Sequence, residues 1–105
     1  MKQHSTPQQK KAIDTHLQAL ACAFVGLDQV QALDFLRDLC TPAELEAMAD
    51  RWRVVPLLHQ GVPYRKIHQL TGVSVTTISR VARTLEHGTG GYSAALASLN
   101  TSAFI

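Results

Sequence analysis

Residues 71–88 read TGVSVTTISRVARTLEHG, and hydroxyl and guanidinium side chains recur in this run at helical spacing. At 100° per residue Thr76, Arg80 and Arg83 share one face, flanked by Thr77, Ser79 and Thr84. Hydroxyls and arginines suit phosphate oxygens and base edges, which accept hydrogen bonds in fixed directions. Three destinations are open to Arg80 and Arg83: DNA phosphates, a small acidic ligand, or water. Charge is local. Across residues 61–87, Arg65, Lys66, Arg80 and Arg83 stand against Glu86 alone, although the whole chain carries only +2. A basic field confined to one stretch is the footprint of a modest nucleic-acid surface.

The elements that hold this face are read from apolar spacing and caps. Residues 1–9 are polar and expected to form a flexible arm. A first helix is expected from about Lys10 to Val25, with Ile13, Leu17, Leu20 and Phe24 on one side. Gly26 breaks it, and Asp28 can cap a second helix carrying Val30, Leu33 and Leu36. Thr41-Pro42-Ala43-Glu44 is a capping box with proline at the first helical position, so a third helix starts there and runs to Gly61. Pro56, inside it, removes a backbone donor and is expected to bend it. A short helix follows Pro63. Gly72 permits positive φ in the next turn, Ser74 can cap the helix after it, and Gly88, Gly90 and Gly91 end that helix. Residues 92–99 form a short last helix. Ile67, Thr71 and Val73 then face Ile78, Val81, Ala82 and Leu85 across the turn, the apolar lock that a helix-turn-helix needs. His68 stands beside the turn where such motifs carry a small residue. Either the helix pair opens slightly, or the imidazole lies outward toward the groove.

Length and apolar spacing place the 105 residues in one all-α domain: long amphipathic helices over 10–60, a helix-turn-helix over 63–87, and a short C-terminal helix and tail over 88–105. Cys22 and Cys40 lack metal spacing, and no metal is expected. No nucleophile–base pair or phosphate-binding glycine loop is present, so an enzyme is not expected. The run LQALACAFVGL imitates a signal peptide, but polar Asp14, His16 and Gln18 interrupt its approach. A cytoplasmic chain without membrane attachment is expected.

The segments LCTPAELEAMADRWRVVPLLHQG and YRKIHQLTGVSVTTISRV, with RTLEHGTGGY after them, resemble the Trp repressor superfamily and look most like its YerC/YecD-type branch. The match covers about residues 28–96. The resemblance implies an intertwined homodimer, with residues 10–60 as its dimerisation helices and two reading heads on a roughly palindromic double-stranded operator. It implies groove-reading roles for Val75, Thr76, Thr77 and Ser79, a guanine contact for Arg65 and a DNA-backbone contact for His68, with Arg83 on the same basic face. It also implies a corepressor site for L-tryptophan, with the indole between Arg51 and Arg80, Thr41 near the ligand and Thr84 near its amino group. Val81 departs from this pattern: tryptophan-binding members have glycine there, and two methyl groups could fill the pocket.

The leading expectation is a DNA-binding repressor of tryptophan-related genes with L-tryptophan as corepressor. A regulator of the same fold that ignores tryptophan is the first alternative. A helical protein-interaction module is the second.

Overall fold

The computed structural model describes residues 6–100. It contains α1 (Pro7–Val25), α2 (Gln29–Leu39), α3 (Pro42–His59), α4 (Tyr64–Thr71), α5 (Val75–His87) and α6 (Gly91–Asn100), and no strand among the described residues. The chain divides into two compact units, Met1–Thr41 and Pro42–Ile105.

In the first unit α1 starts earlier than the expected Lys10. Thr6 is its N-cap: Gln9 N–H donates to Thr6 Oγ1 at 3.1 Å, and Thr6 N–H donates to Gln9 Oε1 at 3.3 Å. Pro7 sits in the first turn, where its missing N–H is harmless. Thr6-Pro7-Gln8-Gln9 is thus the same kind of start signal as Thr41-Pro42-Ala43-Glu44, with Gln in the place of Glu. The flexible arm expected over residues 1–9 is therefore already helical from Pro7, and its first five residues lie outside those described. Asp28 caps α2 as expected and exchanges backbone and side-chain bonds with Gln31 at 2.9 and 3.2 Å. Phe24 and Phe35 meet edge to face, their ring centroids 5.2 Å apart, and tie α1 to α2. Neither helix buries a single residue. Leu17, Val25 and Val30 are 57, 85 and 69% exposed.

The second unit holds the core. Val54 and Val55 of α3, Ile67 of α4, Val73 in the turn, Ile78 and Val81 of α5 and Leu96 of α6 form one buried cluster. Trp52, Leu57, Leu58, Val62, Leu85 and Tyr92 border it. α3 packs on α4, α5 and α6, and α4 on α5. α3, assigned from the sequence to the region 10–60, therefore makes its contacts with the helix-turn-helix, because Val54 and Val55 face Ile67 and Ile78 rather than water.

Helix α3 runs on through Pro56. The ring supplies no N–H to the Trp52 carbonyl, yet the flanking turns stay helical. The helix ends at Gly61, whose φ of 81° is open to glycine without a Cβ penalty. Gly61 N–H reaches the Leu58 carbonyl and Val62 N–H the Leu57 carbonyl, both at 3.0 Å, the paired bonds of a Schellman ending.

Ile78 is fully buried at the point where α3, α4 and α5 meet. Ile78→Ala is expected to lower the free energy of unfolding by about 2–5 kcal/mol. Urea titration followed by circular dichroism measures it. A loss below about 1 kcal/mol would mean that this cluster does not carry the unit's stability.

Candidate nucleic-acid interface

Helices α4 and α5 meet across residues 72–74, where the Gly72 N–H, both backbone groups of Val73 and the Ser74 carbonyl are held by a side chain or a helix end. Gly72 ends α4 in the left-handed region, at φ 74°, with its N–H on the His68 carbonyl at 2.8 Å. This is the positive-φ position that the sequence assigns to Gly72. The Thr71 hydroxyl donates to the Ile67 carbonyl at 2.7 Å and accepts the Val73 N–H at 3.1 Å. Val73 plugs the corner, with its side chain only 5% exposed. Ser74 opens α5: its Oγ accepts Thr77 N–H at 3.1 Å and lies 3.1 Å from the Thr77 hydroxyl.

Two further bonds at this turn involve residues whose roles here the sequence does not announce. Arg53, on α3, sends Nη1 to the Thr71 carbonyl at 3.4 Å. A guanidinium at the carboxyl end of α4 also meets the negative end of that helix's dipole. His68 Nδ1 lies 2.8 Å from the Val73 carbonyl. The imidazole at the crowded position is thus bonded back to the turn. The signal for Arg53 is its spacing from Thr71 across two helices, which no local pattern contains.

The expected DNA-facing residues all lie in this one unit. Arg65 and His68 stand on α4, and Val75, Thr76, Thr77, Ser79 and Arg83 on α5. Arg65, His68, Val75, Thr76, Ser79 and Arg83 are exposed. Thr77 is half-buried and spends its polar groups on the Ser74 cap, so it serves the start of the helix. Ser79 and Arg83 line one groove with Tyr64, Ala82, Glu86 and His87. Tyr64 of α4 thus shares a groove with Arg83 of α5 on this face. Among the described residues, Arg65, Lys66, Arg80 and Arg83 form no ion pair. Glu86, the one carboxylate between residues 61 and 87, lies 3.4 Å from its neighbour His87.

The expected ligand residues are divided between the two units. Arg51 on α3 and Arg80 and Thr84 on α5 are all exposed and belong to the second unit, whereas Thr41 belongs to the first. Thr84 lines a cleft with Leu85, Thr89, Gly90, Gly91, Tyr92 and Ser93, a lining that includes neither Arg51 nor Arg80. Trp52, between Arg51 and Arg53 in sequence, packs against Tyr92 of α6, ring centroids 6.4 Å apart. Val81 is 1% exposed and sits in the core cluster beside Val54, Val55 and Ile78. Among the described residues no group of three or more His, Cys, Asp or Glu side chains could hold a metal ion.

Two short helices locked at a left-handed glycine, with a cationic outer face, define a helix-turn-helix protein of the kind found in DNA-binding regulators. Comparison with known proteins gives this class a family. The Trp repressor protein family matches residues 11–100, and the chain belongs to that family. It is 42% identical over 69 residues to the uncharacterized protein YerC of Bacillus subtilis (strain 168). That match spans 66% of this chain and 66% of YerC, just under two thirds of each. The fold is similar to the crystal structure of a TrpR-like protein from Eubacterium eligens ATCC 27750, with TM-score 0.71, 33% identity and 87 and 91% of the two chains covered. It is also similar to a candidate Trp repressor from Staphylococcus aureus, with TM-score 0.73, 31% identity and 93 and 98% covered. The all-helical, Trp repressor-like fold expected from the sequence is the fold observed.

Proposed function

We propose that the chain is a sequence-specific DNA-binding transcriptional repressor that acts in the cytoplasm as a homodimer. The observation that carries this reading is the cationic outer face of α4 and α5, unneutralised by any ion pair among the described residues and mounted on a turn whose backbone is fixed by side chains. In this reading the first turn of α5 enters the major groove. Val75 offers methyl groups to a thymine methyl, Thr76 and Ser79 offer hydroxyls to base edges, and Arg65 offers a two-pronged contact to guanine. Arg83, in the groove it shares with Tyr64, meets the phosphate backbone. His68 belongs to the same face.

The homodimer is supported by α1 and α2, which bury nothing although they carry Leu17, Val25, Val30, Leu33 and Leu39. Apolar surface of that extent is stable in water when covered, and a second copy covers it symmetrically. Two heads related by a two-fold axis require a roughly palindromic operator with half-sites about one helical turn apart. Among the described residues no helix is long and apolar enough to cross a membrane.

For the effector, Arg51, Arg80 and Thr84 are exposed and chemically apt for L-tryptophan, since a guanidinium plane stacks on indole and its fork binds a carboxylate. The burial of Val81 favours the other reading, a regulator that does not depend on tryptophan. Its methyl groups occupy the space between α5 and α3 that a glycine would leave open. We take this second reading as the better supported.

Three measurements test these proposals. Fluorescence anisotropy with palindromic duplexes is expected to show affinity falling steeply with salt. Arg65→Ala should lose about 1–3 kcal/mol of discrimination at one base pair. Arg83→Ala should weaken all sequences alike and lower the salt slope by about one. Binding that ignores salt, or that survives both substitutions, removes DNA from the function of this face. Sedimentation at micromolar concentration should give a dimer that Leu17→Glu combined with Val30→Glu dissociates; a monomeric wild-type chain would refute the assembly. Calorimetry should give no heat with millimolar L-tryptophan for the wild type. Tryptophan binding by the wild type that also raises its DNA affinity would restore the corepressor reading.

A further inference from the structure

One bond at the turn is not explained by DNA contact. His68 Nδ1 lies 2.8 Å from the carbonyl oxygen of Val73, five residues on and across the crossing from α4 to α5. A carbonyl only accepts, so the hydrogen of this bond belongs to Nδ1. In a neutral imidazole one nitrogen carries the hydrogen and the other a lone pair. Nε2, which makes no hydrogen bond among the described residues, is then an acceptor. A phosphate oxygen is also an acceptor, so the neutral ring in this tautomer offers the DNA backbone no hydrogen to bind. The same ring holds the last carbonyl before Ser74, the residue that caps α5.

We infer that His68 is a positioning residue of the recognition helix: its Nδ1–H ties the Val73 carbonyl back to α4 and thereby fixes the angle at which α5 leaves the turn. The brace completes a set. Arg53 holds the Thr71 carbonyl, the Thr71 hydroxyl holds the Val73 N–H, and His68 holds the Val73 carbonyl. Gly72 contributes the φ that the crossing needs and no side chain to stiffen it, so the stiffness comes from these neighbours. His68 then affects DNA binding through the orientation of α5, and not as a simple charge against the backbone. This deepens the DNA-binding proposal and rests on it.

The test uses three variants of the full chain. His68→Asn keeps an N–H at the place of Nδ1, His68→Gln moves it to the place of Nε2, and His68→Ala removes it. Nitrogen-15 spectra of the wild-type ring in its neutral form should show a protonated Nδ1 and a bare Nε2. In the free protein, His68→Ala should speed amide exchange at Val73, Thr77 and Ile78 by about 3- to 10-fold, the loss of one ordinary hydrogen bond. DNA affinity should fall by a similar factor with the salt slope unchanged. His68→Asn should recover both quantities and His68→Gln neither. A bare Nδ1, exchange unmoved by His68→Ala, affinity unmoved while exchange rises, or recovery by Gln and not Asn would each overturn the inference. If no duplex binds the wild type, the DNA proposal fails, and the ring spectrum and amide exchange still judge the brace.

Discussion

A helix-turn-helix works only if its second helix leaves the first at one angle, and here that angle hangs on three residues between α4 and α5. Gly72 takes a left-handed conformation that a side chain would strain by about 1–2 kcal/mol. A glycine by itself fixes nothing, since it visits many conformations. The angle becomes definite because Val73 is driven into the cluster formed by Val54, Val55, Ile67, Ile78 and Val81. Burial then obliges the neighbouring backbone groups to find partners, and Thr71, Arg53 and His68 supply them. The hydrophobic term sets the position, and the hydrogen bonds make any other position costly. Every exposed group on α5 inherits its direction from this corner.

The two units differ in how they satisfy the same physics. The second closes its own core over α3, α4, α5 and α6. The first consists of two well-capped helices without a buried residue. Caps and an edge-to-face aromatic pair supply a few kcal/mol between them, too little to offset the ordering of some thirty residues at about 1–2 kcal/mol each. Helices of this kind persist when their apolar faces are covered from outside. This links the exposed leucines and valines of α1 and α2 to the proposed two-fold assembly, and through its symmetry to the proposed pair of reading heads.

Much of this architecture was legible in local patterns. Asp28, Gly61, Gly72 and Ser74 each mark an end by a chemistry confined to a few neighbouring residues, and the structure uses each of them there. The inner face of the helix-turn-helix was legible for the same reason: Ile67, Ile78 and Val81 recur at helical spacing. Thr6 was legible in principle, but a glutamine-rich start reads as loose chain unless Gln9 is recognised as the reciprocal half of a capping box. The bonds of Arg53 and His68 were not legible. Arg53 reaches Thr71 only through the packing of α3 on α4, and a histidine in a crowded position has no fixed direction in sequence alone.

Val81 shows how one side chain can link stability to response. As part of the buried cluster it helps hold α5 against α3, so its methyl groups stabilise the corner from which the reading helix is aimed. A glycine at that position would remove those contacts and leave a space beside Arg80. A family member built that way would have its head less firmly set until some molecule filled the space, and binding could then control the angle. With valine the filling group is covalently present. In the proposed tryptophan-independent reading, the same packing that makes the head rigid leaves no room for an external ligand to set it. In that reading regulation acts elsewhere, on the proposed assembly of α1 and α2 or on the exposed face itself.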